Sequence, residues 1–481
     1  MTKKDMYDFL EKNSSQFNKL SDDIWNYAET SFEEFRSAKR IIEELKSLGF
    51  TVEETVKNVP NAFVATWGSG YPTIGFLGEY DALPSLAQEA GATSHSPTSN
   101  QNGNGHGCGH NMLGTGALMA ATALKEYLSA NGKSGTVKYF GCPGEEGGSG
   151  KAFMAREGVF EGLDLAFTWH PMNFNAVFDS STLANYQVSY EFTGRSAHAA
   201  AAPQYGRSAL DAVELMNVGV QYLREHIIQE ARVHYAITDT GGFSPNVVQA
   251  NAKVLYLIRA PKISQVEEIY QRINKIAKGM AMATETEVHI NFIKSCADIV
   301  PNKILSDRIY SNLKDAPKIQ YTKEEYDFAT AIDNTITNAP NLIAMANITA
   351  DDANQSNTQM QGKALYEDIL PFYIDKVAPT SPGSTDVGDV SYFVPTGQVV
   401  TTCWTYKTSP HTWQVVSVGK SGIAYKGMMF AAQVMAGAAI DAIEDDDIIQ
   451  NAKKELAGRV ANNPYKCAIP KDVMPKPTSA L

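Results

Sequence analysis

The sequence has little of what marks secreted, membrane-spanning or nucleic-acid-binding chains. Only five cysteines occur in 481 residues, at positions 108, 142, 296, 403 and 467. An odd and scattered set is no disulfide framework, and it fits a reducing compartment. Long apolar runs are also scarce. The longest, about residues 427–440, is interrupted by Gln433 and falls short of the roughly 20 apolar residues of a membrane span. The start, Met1-Thr-Lys-Lys-Asp, meets charge at once and carries no apolar signal region, so a cytoplasmic location is expected. Positive charge is in deficit: 41 Lys and Arg against 53 Asp and Glu give a net −12. That balance argues against general binding to nucleic acid or to an anionic membrane. No internal repeat is visible, and no Gly-x-Ser-x-Gly elbow supports a serine hydrolase.

What is present is ordinary for a globular protein: 43% hydrophobic and 20% charged residues. At roughly 150 residues per domain, the length predicts two or three domains with large cores. From Arg36, Ala38, Ile41, Ile42, Leu45 and Leu48 keep helical spacing up to the stop at Gly49. Strand-like runs follow at 61–67, 73–77, 137–140 and 165–169, with helical stretches at 116–128 and 151–157 between them. Strands alternating with helices predict an α/β fold with a mostly parallel sheet. In such sheets, sites lie beyond the carboxyl ends of the strands. Glu79 and Asp81, Glu145 and Glu146, and His170 each follow an apolar run, so three stretches deliver polar groups to one edge.

The middle of the chain differs. Strand-like runs at 187–193, 233–238, 247–259 and 287–294, with helices at 205–222 and 264–282, give a β-α-β-β-α-β order. That order predicts a small ferredoxin-like α+β domain over 187–300, inserted between parts 1–186 and 301–481 of the larger domain. Strands 187–193 and 254–259 are expected to offer edges for pairing across a two-fold axis. Residues 315–370 are polar and irregular, and predict little.

Gly105-His-Gly-Cys108-Gly-His110-Asn111 lies among six glycines between 103 and 116. Thiolate and imidazole ligate zinc and other transition ions, although a glycine-rich turn with a buried thiol reads the same way. In Pro143-Gly-Glu145-Glu146-Gly147, one carboxylate can bind an ion while its neighbour takes a proton; a solvated acidic turn is the alternative. The following Gly147-Gly-Ser-Gly-Lys151 fails as a phosphate loop, because Glu145 stands where the first glycine belongs and Ala152 follows the lysine. Pro171 keeps His170 extended, and His411 follows the run 399–406. Cys108, His110, Glu146, His170 and His411 are too many ligands for one closed tetrahedral zinc, and they suit a two-metal hydrolytic site.

At this point the sequence resembles the aminoacylase/carboxypeptidase-type dinuclear metallopeptidases, in the amidohydrolase branch with a cysteine ligand. The motifs that carry the likeness are Gly78-Glu-Tyr-Asp-Ala-Leu-Pro84, Gly107-Cys-Gly-His-Asn-Met112, Pro143-Gly-Glu-Glu-Gly147, Gly194-Arg-Ser-Ala-His198 and Ser381-Pro-Gly-Ser-Thr-Asp-Val387. The resemblance implies two divalent ions, Zn²⁺ or Mn²⁺, held by Cys108, His110, Glu146, His170 and His411. It implies Glu145 as the general base and Asp81 as the carboxylate that orients a ligand imidazole. It implies that His198 of the inserted dimerisation or lid domain reaches the partner subunit's site in a homodimer. Asn246 and Arg259 match substrate-contacting positions. His198 as a helix cap and Arg259 as a strand-face arginine remain open. Glu79 replaces the first Asp of a common Asp-x-Asp-Ala-Leu-Pro motif, and Asn111 replaces the Asp of Cys-Gly-His-Asp. These variants are those of the aminobenzoyl-glutamate subgroup. The implied activity is metal-dependent hydrolysis of an N-acyl or N-aroyl amino acid. A dipeptidase or general acyl-amino-acid hydrolase, and a non-catalytic binding protein on the same fold, are the rival readings.

Overall fold

The computed structural model describes residues 1–99, 102–339, 341–377, 379–477 and 479. From edge to edge the larger sheet runs Thr51–Glu53, Phe63–Ser69, Gly135–Cys142, Thr73–Glu79, Leu165–Met172, Thr396–Thr402 and Ala176–Val177. The four strands from Gly135–Cys142 to Thr396–Thr402 are parallel, and antiparallel pairing enters only at the flanks. Side chains alternate between the faces. Phe76, Tyr139, Leu165 and Phe167 join the main core, whereas Leu77, Phe140 and Ala166 join a second core on the opposite face.

Helices His110–Asn131 and Gly422–Glu444 cover the main-core face. Both are apolar all round, because helix and sheet bury them from every side. The second helix corrects the expectation for the run at 427–440. At 23 residues it is long and apolar enough to cross a membrane, yet 89% of its most apolar window is buried in the protein. Short helices Gly150–Arg156 and Val387–Ser391 pack on the other face through Phe153, Val387 and Val390.

A separate four-stranded antiparallel sheet has the order Glu287–Cys296, Ala184–Thr193, Asn251–Ala260, Arg232–Asp239. Helices Ala209–Leu223 and Ile263–Ala283 close its own core, built on Val188, Tyr190, Val254 and Val213. The β-α-β-β-α-β order is as read from the sequence, but the expected free edges are not. Strands Ala184–Thr193 and Asn251–Ala260 pair with each other at the centre, because each crossover skips a strand. The open edges are Arg232–Asp239 and Glu287–Cys296. Residues 315–370, unreadable in the sequence, hold helices Lys323–Asp333 and Ala350–Gln359, each started by a capping box.

Candidate active site

The parallel strands end together, and their register sets the site. Glu79 pairs with Cys142, and His170 with Val400. Glu79 and Asp81, the turn after Cys142, and His170 therefore meet at one edge. His170 is within strand Leu165–Met172 rather than after it. The glycine-rich loop brings Cys108 over this edge, and Gly109 (φ +74°) turns the chain so that helix His110–Asn131 starts at once. Close approach depends on Gly116: a Cβ there would lie 2.7 Å from the Trp169 indole. Trp169 Nε1 donates to the Leu113 carbonyl at 2.9 Å, which locks the strand end beside His170 to the helix. His411 sits in the left-handed region (φ 62°), and its N–H donates to the Gly107 carbonyl at 2.7 Å. Strain of this kind is kept where the surroundings fix a functional side chain.

Two buried carboxylates hold the acidic turn. Asp81 accepts the Glu146 N–H at 3.0 Å, the Ser31 hydroxyl at 3.1 Å and His110 Nδ1–H at 2.9 Å. Glu34 accepts the N–H groups of Gly144 at 2.8 Å and Phe32 at 2.9 Å. These bonds fix Glu145 and Glu146 over the strand ends, and they commit His110 Nδ1 so that Nε2 faces the cluster.

Three triplets of ligand atoms then lie within 4.8 Å of one another: Cys108, His110 and His170; Cys108, Glu146 and His411; and Glu79, His110 and Glu145. Cys108 Sγ is 3.4 Å from His170 Nε2, whose ring donates through Nδ1 to the Pro171 carbonyl at 2.7 Å. His411 Nε2 is 3.4 Å from Glu146 Oε1. His110 Nε2 and Glu146 Oε1 are buried without a hydrogen-bond partner. An unpaired buried polar atom costs about 1–3 kcal/mol, so atoms left orphaned toward a common centre fit a metal ion. The donor set of thiolate, imidazole and carboxylate suits zinc or manganese.

The electrostatics favour ligation and base chemistry. Burial opposes ionisation of Cys108, but the His170 and His110 imidazoles outweigh it and hold the thiol well below its usual range. Burial, then the charges of Glu79 and Glu146, pushes Glu145 well above the usual carboxylate range. Burial and Cys108 raise Glu146 to about 7. A carboxylate raised toward neutrality beside a metal site is poised to take and return a proton.

A cavity of about 270 Å³ opens onto the cluster, with Trp169, Met172, Phe174, Val177, Leu342 and Val400 on its apolar wall and Glu145 and Cys108 at its polar end. The five expected ligands, Glu145 and Asp81 are thus brought together. His198 and Asn246 are not. His198 is exposed, its Nδ1 accepts the N–H groups of Ala200 at 3.3 Å and Ala201 at 3.2 Å, and Ala199 donates to the Asn246 carbonyl at 2.9 Å. Arg259, on the small sheet, reaches Ser384 Oγ at 3.4 Å, and Ser384 lines the cavity. Sequence reasoning missed Glu34, Lys151 and Asp386, and gave Glu79 no place among the site residues. The apolar surround of Lys151, Ala152-Phe-Met-Ala155, was the one signal that this lysine is buried.

A profile of Peptidase family M20/M25/M40 matches residues 75–380. The chain is 47% identical over 474 residues to one of the two kinds of polypeptide that make up the p-aminobenzoyl-glutamate hydrolase of Escherichia coli strain K12, covering 98% of each chain. Among solved structures, the aminobenzoyl-glutamate utilization protein of Klebsiella pneumoniae aligns with TM-score 0.61 and 18% identity over 92% of this chain and 98% of that one. A dinuclear metal-binding peptidase of the M20 family from Bacillus subtilis aligns with TM-score 0.55 and 15% identity over 90% and 99%. This chain belongs to peptidase family M20/M25/M40 and is a metal-dependent amidohydrolase.

Proposed function

We propose that the protein hydrolyses the amide bond of p-aminobenzoyl-glutamate or a closely similar N-aroyl amino acid. The observation that carries this reading is the apolar cavity of about 270 Å³ opening directly onto the ligand cluster. Its size and lining suit one aromatic acyl group rather than a peptide chain, since ligand pockets commonly run to roughly 300–1,000 Å³. The name of the Escherichia coli relative supports the same substrate.

Cys108, His110, Glu146, His170 and His411 would hold two divalent ions, with Cys108 common to two of the triplets. Such ions lower the pKa of a shared water and polarise the scissile carbonyl. Glu145, at the polar end of the cavity, takes the proton from that water and delivers it to the leaving amine. Asp81 keeps His110 in the tautomer that points Nε2 inward. The orphaned atoms and the thiolate-favouring surroundings of Cys108 support zinc or manganese without separating them.

Residues 187–300 act as an inserted dimerisation and lid domain in this reading. His198 is exposed and engages its own turn only through Nδ1, which leaves Nε2 to reach the oxyanion in a partner subunit's site. Edge strand Arg232–Asp239 exposes Tyr235 and Ile237, and helix Ala209–Leu223 exposes Leu215, Val218 and Tyr222, which supports burial of this face in a homodimer. The Escherichia coli relative is named as one component of a hydrolase with a second kind of chain, so a paired hydrolase chain is the second reading of the partner. Light scattering of the purified chain separates the two. Arg259 and Asn246 then bind the substrate's carboxylate end. Five unpaired thiols support a reducing cytoplasm. The test of substrate class is a panel of p-aminobenzoyl-glutamate, other N-acyl amino acids and dipeptides. The highest kcat/KM on p-aminobenzoyl-glutamate is expected. A dipeptide or simple acyl amino acid turned over faster would replace this reading with the broader hydrolase.

A further inference from the structure

We propose that Glu79 is a further carboxylate ligand of the metal centre, and that Lys151, gripped by Asp386, is the positioning residue that holds it there. The proposal rests on the two-ion reading above and concerns which groups of this chain complete the site.

Glu79 closes strand Thr73–Glu79 and is 3% exposed. Its two oxygens face different partners. Oε1 takes Lys151 Nζ at 2.6 Å, and Oε2 lies 3.3 Å from His110 Nε2. His110 Nδ1 is already committed to Asp81, while Nε2 is fully buried and makes no hydrogen bond. An approach that is close but not an aligned hydrogen bond is what two ligands of one ion keep. Metal–N and metal–O bonds of about 2.0–2.2 Å at tetrahedral angles set the two atoms roughly 3.3–3.5 Å apart. Glu79, His110 and Glu145 also form one of the three ligand triplets.

Lys151 explains why the carboxylate points inward. It is 0% exposed, and Asp386 holds it twice: Oδ1 at 2.6 Å from Nζ, and Oδ2 accepting its backbone N–H at 2.7 Å. A buried lysine is costly unless paired and hydrogen-bonded. Here burial opposes the charge, and Asp386 and Glu79 outweigh it, so the ammonium stays protonated. One fixed cation between two carboxylates occupies one oxygen of Glu79 and leaves the other for the ion. If the trio were only a strut between the sheet and loop 383–386, nothing would require Oε2 to face His110.

The test is a titration of metal-free protein with Zn²⁺ in competition with a chromophoric chelator, without substrate. Two bound ions are expected for the wild type. Glu79→Gln keeps the shape and still accepts a hydrogen bond from Lys151; it should weaken one ion about 10- to 100-fold, as loss of a supporting group does. Lys151→Met combined with Asp386→Asn removes the cation together with its counter-charge. It leaves Glu79 unclamped and should weaken the same ion by a similar factor. Melting curves establish that each variant is folded. Should Glu79→Gln fail to fold, Glu79→Asp serves: its carboxylate stays charged but is one methylene short, and the same loss is expected. Affinities within twofold of wild type for both ions in the Glu79 variant would overturn the ligand role. The same result in the Lys151/Asp386 variant would overturn the positioning role. A wild-type protein that binds no metal would defeat the two-ion reading itself, and this inference with it.

Discussion

The edge of the large sheet and the loop around His198 carry motifs of similar sequence prominence, yet they are built differently. At the sheet edge every candidate side chain is fixed by buried partners: Asp81 orients His110, Glu34 and Asp81 fix the acidic turn, and Lys151 clamps Glu79. Around His198 the chain is exposed, and the residue contacts only its own turn. The first region is complete within one chain; the second is a loose end that acquires a role only against something else. Preorganised groups in a dry site act far more strongly than exposed ones, so substitutions in the two regions should separate effects on rate, metal and stability differently.

The largest effect is expected at the sheet edge. Glu145→Gln should retain metal and fold while losing about 10²–10⁴ in kcat, the usual contribution of a general base. Steady-state kinetics with metal analysis checks this, and a near-normal rate would remove Glu145 from the role. His198→Ala should lower kcat about 10²–10³ if it supplies the oxyanion donor. Its melting point should hardly move, because exposed substitutions stay within about 0.5 kcal/mol. A full rate, or full activity in a monomer by light scattering, would leave His198 as a turn cap and erase the functional side of the contrast.

Metal retention should depend on pH in a direction that the site dictates. Glu146, raised to about 7, must give up its proton to ligate. Protons therefore compete as pH falls below about 7, and affinity should drop about tenfold per pH unit for each displaced proton. Chelator competition between pH 5 and 8 measures it, and a flat profile would contradict it. The smallest effect is packing. Gly116→Ala puts a Cβ 2.7 Å from the Trp169 ring and should cost about 1–3 kcal/mol by overpacking, read as a lower melting temperature together with weaker metal binding through the His170 strand end.

What the sequence could reveal follows from how local each signal is. The strand runs before Glu79, Glu145 and His170, and the short glycine-rich spacing of Cys108 and His110, are local patterns, so the sheet edge and its ligands were legible. The Glu79–Lys151–Asp386 network joins positions far apart in the chain, and no local pattern encodes that pairing. Lys151 instead looked like the end of a failed phosphate loop. Strand pairing in the small sheet was misread because order along the chain does not fix which strands become edges. The helices within 315–370 had a readable sign after all. Thr322-x-x-Glu325 is a capping box, and its backbone contacts form as that pattern requires.

The central claim is tested most directly by release of p-aminobenzoate from p-aminobenzoyl-glutamate by the purified protein, assayed with added Zn²⁺ or Mn²⁺ and again with excess chelator. Release that chelator abolishes and added metal restores is the expected result. Release that persists in chelator, or no release from protein shown to hold two ions, would contradict it.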